Sequence, residues 1–145
     1  MTMQTTEQRN VRIGQLELRF LVDETDGAHD LVAFEFTIPA AARVPVPHYH
    51  RDVDELVYVL DGTVTVTIDG EARDVAAGES VFIPRGRVHH HANPHGQTAR
   101  ALVVLSPGSI GRRYFEEMAA LVNGPGKPDP AAVTDVMRRH GLIPA

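Results

Sequence analysis

Hydrophobic and polar residues alternate with a period of two in a succession of short runs that begins at Val11 and ends at Leu105. Side chains on an extended chain point alternately to opposite faces, so each run reads as a strand with one buried face. Leu16, Leu18, Phe20 and Val22 share one parity of a strand predicted over residues 11–22, with Glu17 and Arg19 on the other. Leu31 to Ile38 is the second, setting Phe34 and Phe36 against Ala33, Glu35 and Thr37. Further strands are predicted from Glu55 to Leu60, Thr63 to Ile68, Glu71 to Val75, Ser80 to Ile83, Val88 to Ala92 and Ala99 to Leu105. Turn formers separate them: Asp23 to Gly27, Asp61-Gly62, Asp69-Gly70 and Pro84-Arg85-Gly86. Short strands punctuated at intervals of about eight to twelve residues predict a sandwich or barrel, not a parallel sheet with crossover helices.

The period changes after Pro107-Gly108. Ile110, Tyr114, Phe115, Met118, Leu121 and Val122 recur at helical spacing, with Arg112, Arg113, Glu116 and Glu117 on the other side. The apolar members are read as helix-to-barrel packing. A breaker run, Asn123 to Pro128, follows. Asp129 and Pro130 then read as the cap and first residue of a second helix, which continues to His140 and stops at Gly141. The chain divides into a polar, disordered stretch (1–10), a β body (11–106) and a helical appendage (107–145). The helices would cover either an open barrel end or a dimer surface.

Composition narrows the field. A chain of 145 residues suits one domain with a real core. A net charge of -5 and a pI near 5.9 argue against nucleic-acid and anionic-membrane surfaces. With no cysteine, neither disulfides nor thiolate metal sites are available. The chain has no apolar run of ~18 residues and no signal-peptide pattern at its start, so a cytoplasmic protein is expected.

The chemistry concentrates between His48 and Asn93. His48 and His50, two apart on an extended segment, share a face. Glu55 follows after a short loop, and a third imidazole arrives on the strand that carries His89, His90 and His91. Three neutral imidazoles and a carboxylate form a ligand set for one divalent transition metal: iron, manganese, nickel, cobalt, copper or zinc. Alternation puts His91 on the face of His89, with His90 opposite. His29, His90, His95 and His140 are read as exposed surface residues. Phe34, Phe36, Val57, Val59 and Phe82 are candidates to line the cavity, an apolar wall suited to a small hydrophobic or aromatic substrate.

These residues resemble the two motifs of the small single-domain cupins. His48, His50, Glu55 and Gly62 match the first, and Gly78, Pro84, Gly86, His89 and Asn93 match the second at every position. The departure is Ala42, where the first motif begins with glycine. The resemblance implies an all-β double-stranded β-helix (a jelly-roll barrel) with the two helices appended. It implies metal ligands His48, His50, Glu55 and His89, with two coordination positions left for a guest. Spacing from Gly86 and to Asn93 singles out His89 in that motif, leaving His91 beside the ligands or in the pocket wall. A homodimer is implied, with residues 11–22 as an exchange strand. The activity implied is similar to that of quercetin 2,3-dioxygenases, acting on a small enol or aromatic substrate with Glu55 as the catalytic base. The alternatives are a non-oxidative isomerase, lyase or decarboxylase, or a metal-dependent small-molecule binder without turnover.

Overall fold

The structure, a computed structural model, describes residues 9–145. Of the stretch expected to be disordered, 1–8 lie outside the described residues. Arg9 is buried and Asn10 opens the first strand. The strands are β1 (Asn10–Ile13), β2 (Leu16–Val22), β3 (Val32–Ile38), β4 (His48–His50), β5 (Asp54–Asp61), β6 (Thr63–Ile68), β7 (Glu71–Ala76), β8 (Ser80–Ile83), β9 (His89–Ala92) and β10 (Ala99–Ser106). Then come α1 (Arg112–Val122), α2 (Pro130–Arg139) and a last strand, β11 (Leu142–Pro144). They form two antiparallel sheets, ordered β1-β2-β3-β10-β5-β8 and β11-β4-β9-β6-β7, the jelly-roll architecture expected.

Two differences from the sequence reading have local causes. The single strand predicted over 11–22 is a hairpin, because Gly14 takes a left-handed φ of 58° and turns β1 back onto β2. The appendage is not purely helical: Gly141, at φ 82°, releases the chain from α2 so that Leu142–Pro144 can pair with β4. Three residues carry too little periodicity to announce such a strand.

The inner face of the larger sheet follows from its register. Glu55 lies opposite Ile83 on one side and Leu105 on the other, and Val57 lies opposite Val81 and Val103. Val103 continues the row to Phe34, and Phe34 to Phe20. Phe115 of α1 meets Phe20 and Phe34, with ring centroids 5.8 and 5.3 Å apart. Tyr114 and Met118 are buried beside them. The helix therefore covers the β1–β3 end of the interior, the packing its apolar stripe predicted. Its first turn is tied down by Glu24, whose carboxylate accepts from Arg112 N at 2.8 Å and Arg113 N at 2.9 Å. Asp129 caps α2, accepting from Ala131 N at 3.1 Å. Among the described residues no helix is long and apolar enough to cross a membrane.

The same register corrects one expectation. Phe82 pairs with Leu56, not with the inward Glu55 or Val57, so it points outward and is 56% exposed. Phe34, Val57 and Val59 are buried on the inner face, with Phe36 partly buried.

Candidate metal centre

Three strands carry the cluster. His48 of β4 lies opposite His89 of β9, which makes the two imidazoles neighbours on one face. His50 shares that face by alternation. The ring centroids are 4.8 Å apart for His48–His89 and for His50–His89, and 5.3 Å for His48–His50. Glu55 enters from the opposite sheet, with Oε1 at 3.7 Å from His50 Nε2 and 3.5 Å from His89 Nε2. The structure thus gathers the four side chains singled out in the sequence and adds His91, whose Nε2–H donates to Glu55 Oε2 at 2.6 Å. Two triads of potential donor atoms overlap at His89: one with His48 and His50, the other with Glu55 and His91, each within 4.8 Å.

Hydrogen bonds at the rear of the rings set their tautomers. His48 Nδ1 donates to the Val46 carbonyl at 2.8 Å and His89 Nδ1 to the Arg87 carbonyl at 3.0 Å. A carbonyl only accepts, so in the neutral ring the proton sits on Nδ1 and the Nε2 lone pair is left for the cluster. Burial pushes His48 down to about 3 and His50 down to about 4, so both are neutral at pH 7. Burial also works to lower His89, but the adjacent Glu55 carboxylate outweighs it and raises that ring. For Glu55 itself, burial alone would raise the carboxyl. The facing His91 and His89 overcome this and hold it well below the usual carboxylate range.

Whether such a set fits a cation can be tested on the atoms. Donors about 2.1 Å from one ion stand ~3.0 Å apart at right angles and ~4.2 Å apart across it. The Glu55 Oε1 separations of 3.5 and 3.7 Å fall inside that window. His89 Nε2 is buried with no hydrogen-bond partner. An unmet buried polar atom costs ~1–3 kcal/mol, which a cation between the donors would remove. The residues fit the group. Around them Ile83 and Leu105 flank Glu55, Ile68 lies beside His89 and Val66 beside His91. His50, His89 and Glu55 are buried while His48 and His91 are only partly so, which places the approach on the side of those two rings.

The remaining motif residues hold the frame. Asn93 is buried and donates to the Ile38 and Gln97 carbonyls at 2.9 and 2.7 Å, while its Oδ1 accepts from His95 N. Gly62 has φ 72°, and a Cβ there would come within 2.7 Å of the Thr98 carbonyl oxygen. At the departure from the first motif, the left-handed residue is Ala41 (φ 58°), one position before the buried Ala42. Of the histidines expected on the surface, His29 is exposed, but His90, His95 and His140 are partly buried. His95 meets Thr65 at 3.1 Å, and His140 meets Glu117 at 3.1 Å with its ring 5.4 Å from Tyr114. These partners lie far away in sequence, which is why composition alone misplaced them.

Residues 34–105 match the family model of the cupin domain. The polyketide cyclase RemF from Streptomyces resistomycificus superposes with a TM-score of 0.59 and 31% identity, covering 73% of this chain and 79% of that one. This chain belongs to the cupin superfamily. KdgF from Halomonas sp. shares this cupin fold, with a TM-score of 0.60 and 19% identity over 74% of this chain and 94% of that one. In sequence, this cupin is 37% identical over 60 residues to the polyketide synthase CurC of Streptomyces cyaneus, covering 41% of this chain and 39% of that protein. It spans about half or less of the length of the curated relatives it matches.

Proposed function

We propose that this cupin is a metal-dependent enzyme acting on a small enolisable substrate of aromatic or polyketide type, in a reaction that consumes no dioxygen. The observation that carries the reading is the triad of His48, His50 and His89 with Glu55 Oε1 only 3.7 and 3.5 Å from His50 and His89 Nε2, the latter unpartnered, between apolar flanks. His48, His50, His89 and Glu55 would hold one divalent transition ion. When bound, that ion supplies Lewis acidity, polarising a substrate carbonyl or phenol oxygen and lowering the pKa of the proton beside it.

The chain's own groups do the rest. Burial keeps His48 and His50 neutral, so they offer lone pairs and not charge. Glu55 is held ionised and can accept a substrate proton, though its depressed pKa makes it a weak base and favours its service as a ligand. Ile83, Leu105, Ile68 and Val66, the register neighbours of Glu55, His89 and His91, supply apolar flanks that suit a flat apolar guest better than a free sugar. The likeness to a polyketide cyclase supports the non-oxidative form.

Oxygenation of the quercetin 2,3-dioxygenase kind is the second reading, supported by the same imidazole and carboxylate set. Turnover of phenolic and β-diketone substrates by metal-loaded protein, with and without dioxygen, separates them. Undiminished anaerobic turnover is expected. Oxygen uptake matched to product would favour the dioxygenase, and no turnover in either atmosphere would count against both.

A homodimer is proposed as well. An outward row of Val104, Leu56 and Phe82 crosses three strands, with Leu56 36% and Phe82 56% exposed. This apolar face supports pairing of two copies. Sedimentation of wild type and Phe82→Asp tests it: a dimer that dissociates in the variant is expected, and a wild-type monomer would refute it.

A further inference from the structure

We infer that His91 is a positioning residue that fixes Glu55 as a one-oxygen ligand. This rests on the proposed metal site and adds a residue outside the four ligands. His91 lies opposite the buried Val66, which places it on the inner face two residues beyond His89. Its Nε2 stands 2.6 Å from Glu55 Oε2, while Oε1 faces His89 and His50. Two atoms bound to one ion are ~3.0 Å apart even at right angles, so 2.6 Å describes a charge-assisted hydrogen bond and not a shared cation. An ionised carboxylate only accepts, which puts the proton on His91 Nε2.

The consequence concerns the guest. With Oε2 engaged by His91, Glu55 presents Oε1 alone to the ion, and the position its second oxygen would occupy is kept for substrate. Without His91, the carboxylate is free to chelate through both oxygens or to rotate away from His50 and His89. Each alters the ligand field. His91 would thus govern how many places remain open without touching the ion.

The experiment is a cobalt(II) titration of chelator-stripped wild type, His91→Ala and His91→Gln, followed by visible absorption. The glutamine amide N–H can donate from about where the imidazole Nε2 sits. His91→Ala is expected to bind cobalt about 10–100-fold more weakly with a changed d–d spectrum, the scale seen when a ligand's orienting partner is removed. His91→Gln is expected to restore the affinity and the spectrum. An unchanged His91→Ala overturns the inference while leaving the metal site standing. If His91→Gln is as impaired as His91→Ala and shows the same altered spectrum, His91 is itself a ligand and the inference fails. A wild type that takes up no cobalt overturns this and the proposed function together. Should His91→Ala not fold, His91→Asn, too short to reach Oε2, serves in its place with the same expectations.

Discussion

Among the described residues, carboxylates are buried in two places, at Asp23 and at Glu55, and are treated in opposite ways. Asp23 is completely buried at the end of β2. Its charge is met by Arg112 Nε at 3.1 Å and Arg9 Nη1 at 3.9 Å, and its Oδ1 accepts from Thr25 N and Thr25 Oγ1. Asp26 pairs with Arg9 as well, at 2.5 Å. Positive and negative groups alternate there, and the cluster ties Arg9 and the β2–β3 loop to α1. The histidine cluster inverts that logic. It gathers the rings of His48, His50 and His89 with Glu55 Oε1 3.7 and 3.5 Å from His50 and His89 Nε2, so that imidazoles and a carboxylate, the usual ligands of a metal ion, face one another in place of guanidinium–carboxylate pairs. A cluster whose charges are satisfied within the chain serves the fold. One whose acceptors face each other serves something from outside.

Substitutions can break that contrast. Asp23→Asn should remove the buried carboxylate between Arg112 and Arg9, which keep Glu116 and Asp26, and cost ~1–3 kcal/mol by chemical denaturation. Metal affinity should stay within a factor of two of wild type. His89→Ala should do the reverse, weakening metal binding by more than about a hundredfold, since even partners one step removed from an ion cost 10–100-fold. If Asp23→Asn impaired metal binding as severely, the two regions would be one functional unit and the contrast would dissolve.

Acid should also separate them. His48 and His50 titrate near 6.5 when unfolded and at about 3 and about 4 when folded. Below pH 6.5 the unfolded chain therefore binds more protons than the folded one, and stability falls with pH. Glu55, also held low, acts in the same direction further down, while the raised His89 opposes it. Metal-free protein should lose on the order of 2–4 kcal/mol between pH 7 and pH 4. A His48→Gln/His50→Gln double variant should lose clearly less, as read from denaturation midpoints across that range. Equal losses would place the acid sensitivity elsewhere.

The smallest effect is expected in the frame, away from both clusters. Ala41 holds a left-handed conformation that costs an L-residue ~1–2 kcal/mol, partly offset by the greater unfolded freedom of glycine. Ala41→Gly should stabilise the chain by about 0.5–1 kcal/mol, seen as a higher thermal midpoint, without altering metal affinity.

What the sequence made legible follows the range of the interactions involved. Period-two runs and turn residues located nearly every strand, because alternation is local. The paired motifs brought His48, His50, Glu55 and His89 together because their spacing encodes which strands meet. The misses were non-local. The outward turn of Phe82 depended on whether Glu55 pairs with Ile83 or with Phe82, a one-residue register that hydrophobicity on both faces of β8 leaves open. β11 exists because β4 offers an edge, not because Leu142-Ile143-Pro144 demands a strand. Alternation put His91 on the right face, but its bond to Glu55 needed the two sheets placed against each other.

The central claim is that His48, His50, Glu55 and His89 share one cation. Calorimetric titration of chelator-stripped protein with manganese, iron, cobalt, nickel, copper and zinc ions tests it most directly, run in parallel on His89→Ala. One ion per chain is expected for at least one of these metals, with that binding lost in the variant. Refusal of all six by folded wild-type protein, or equal uptake by His89→Ala, would contradict it.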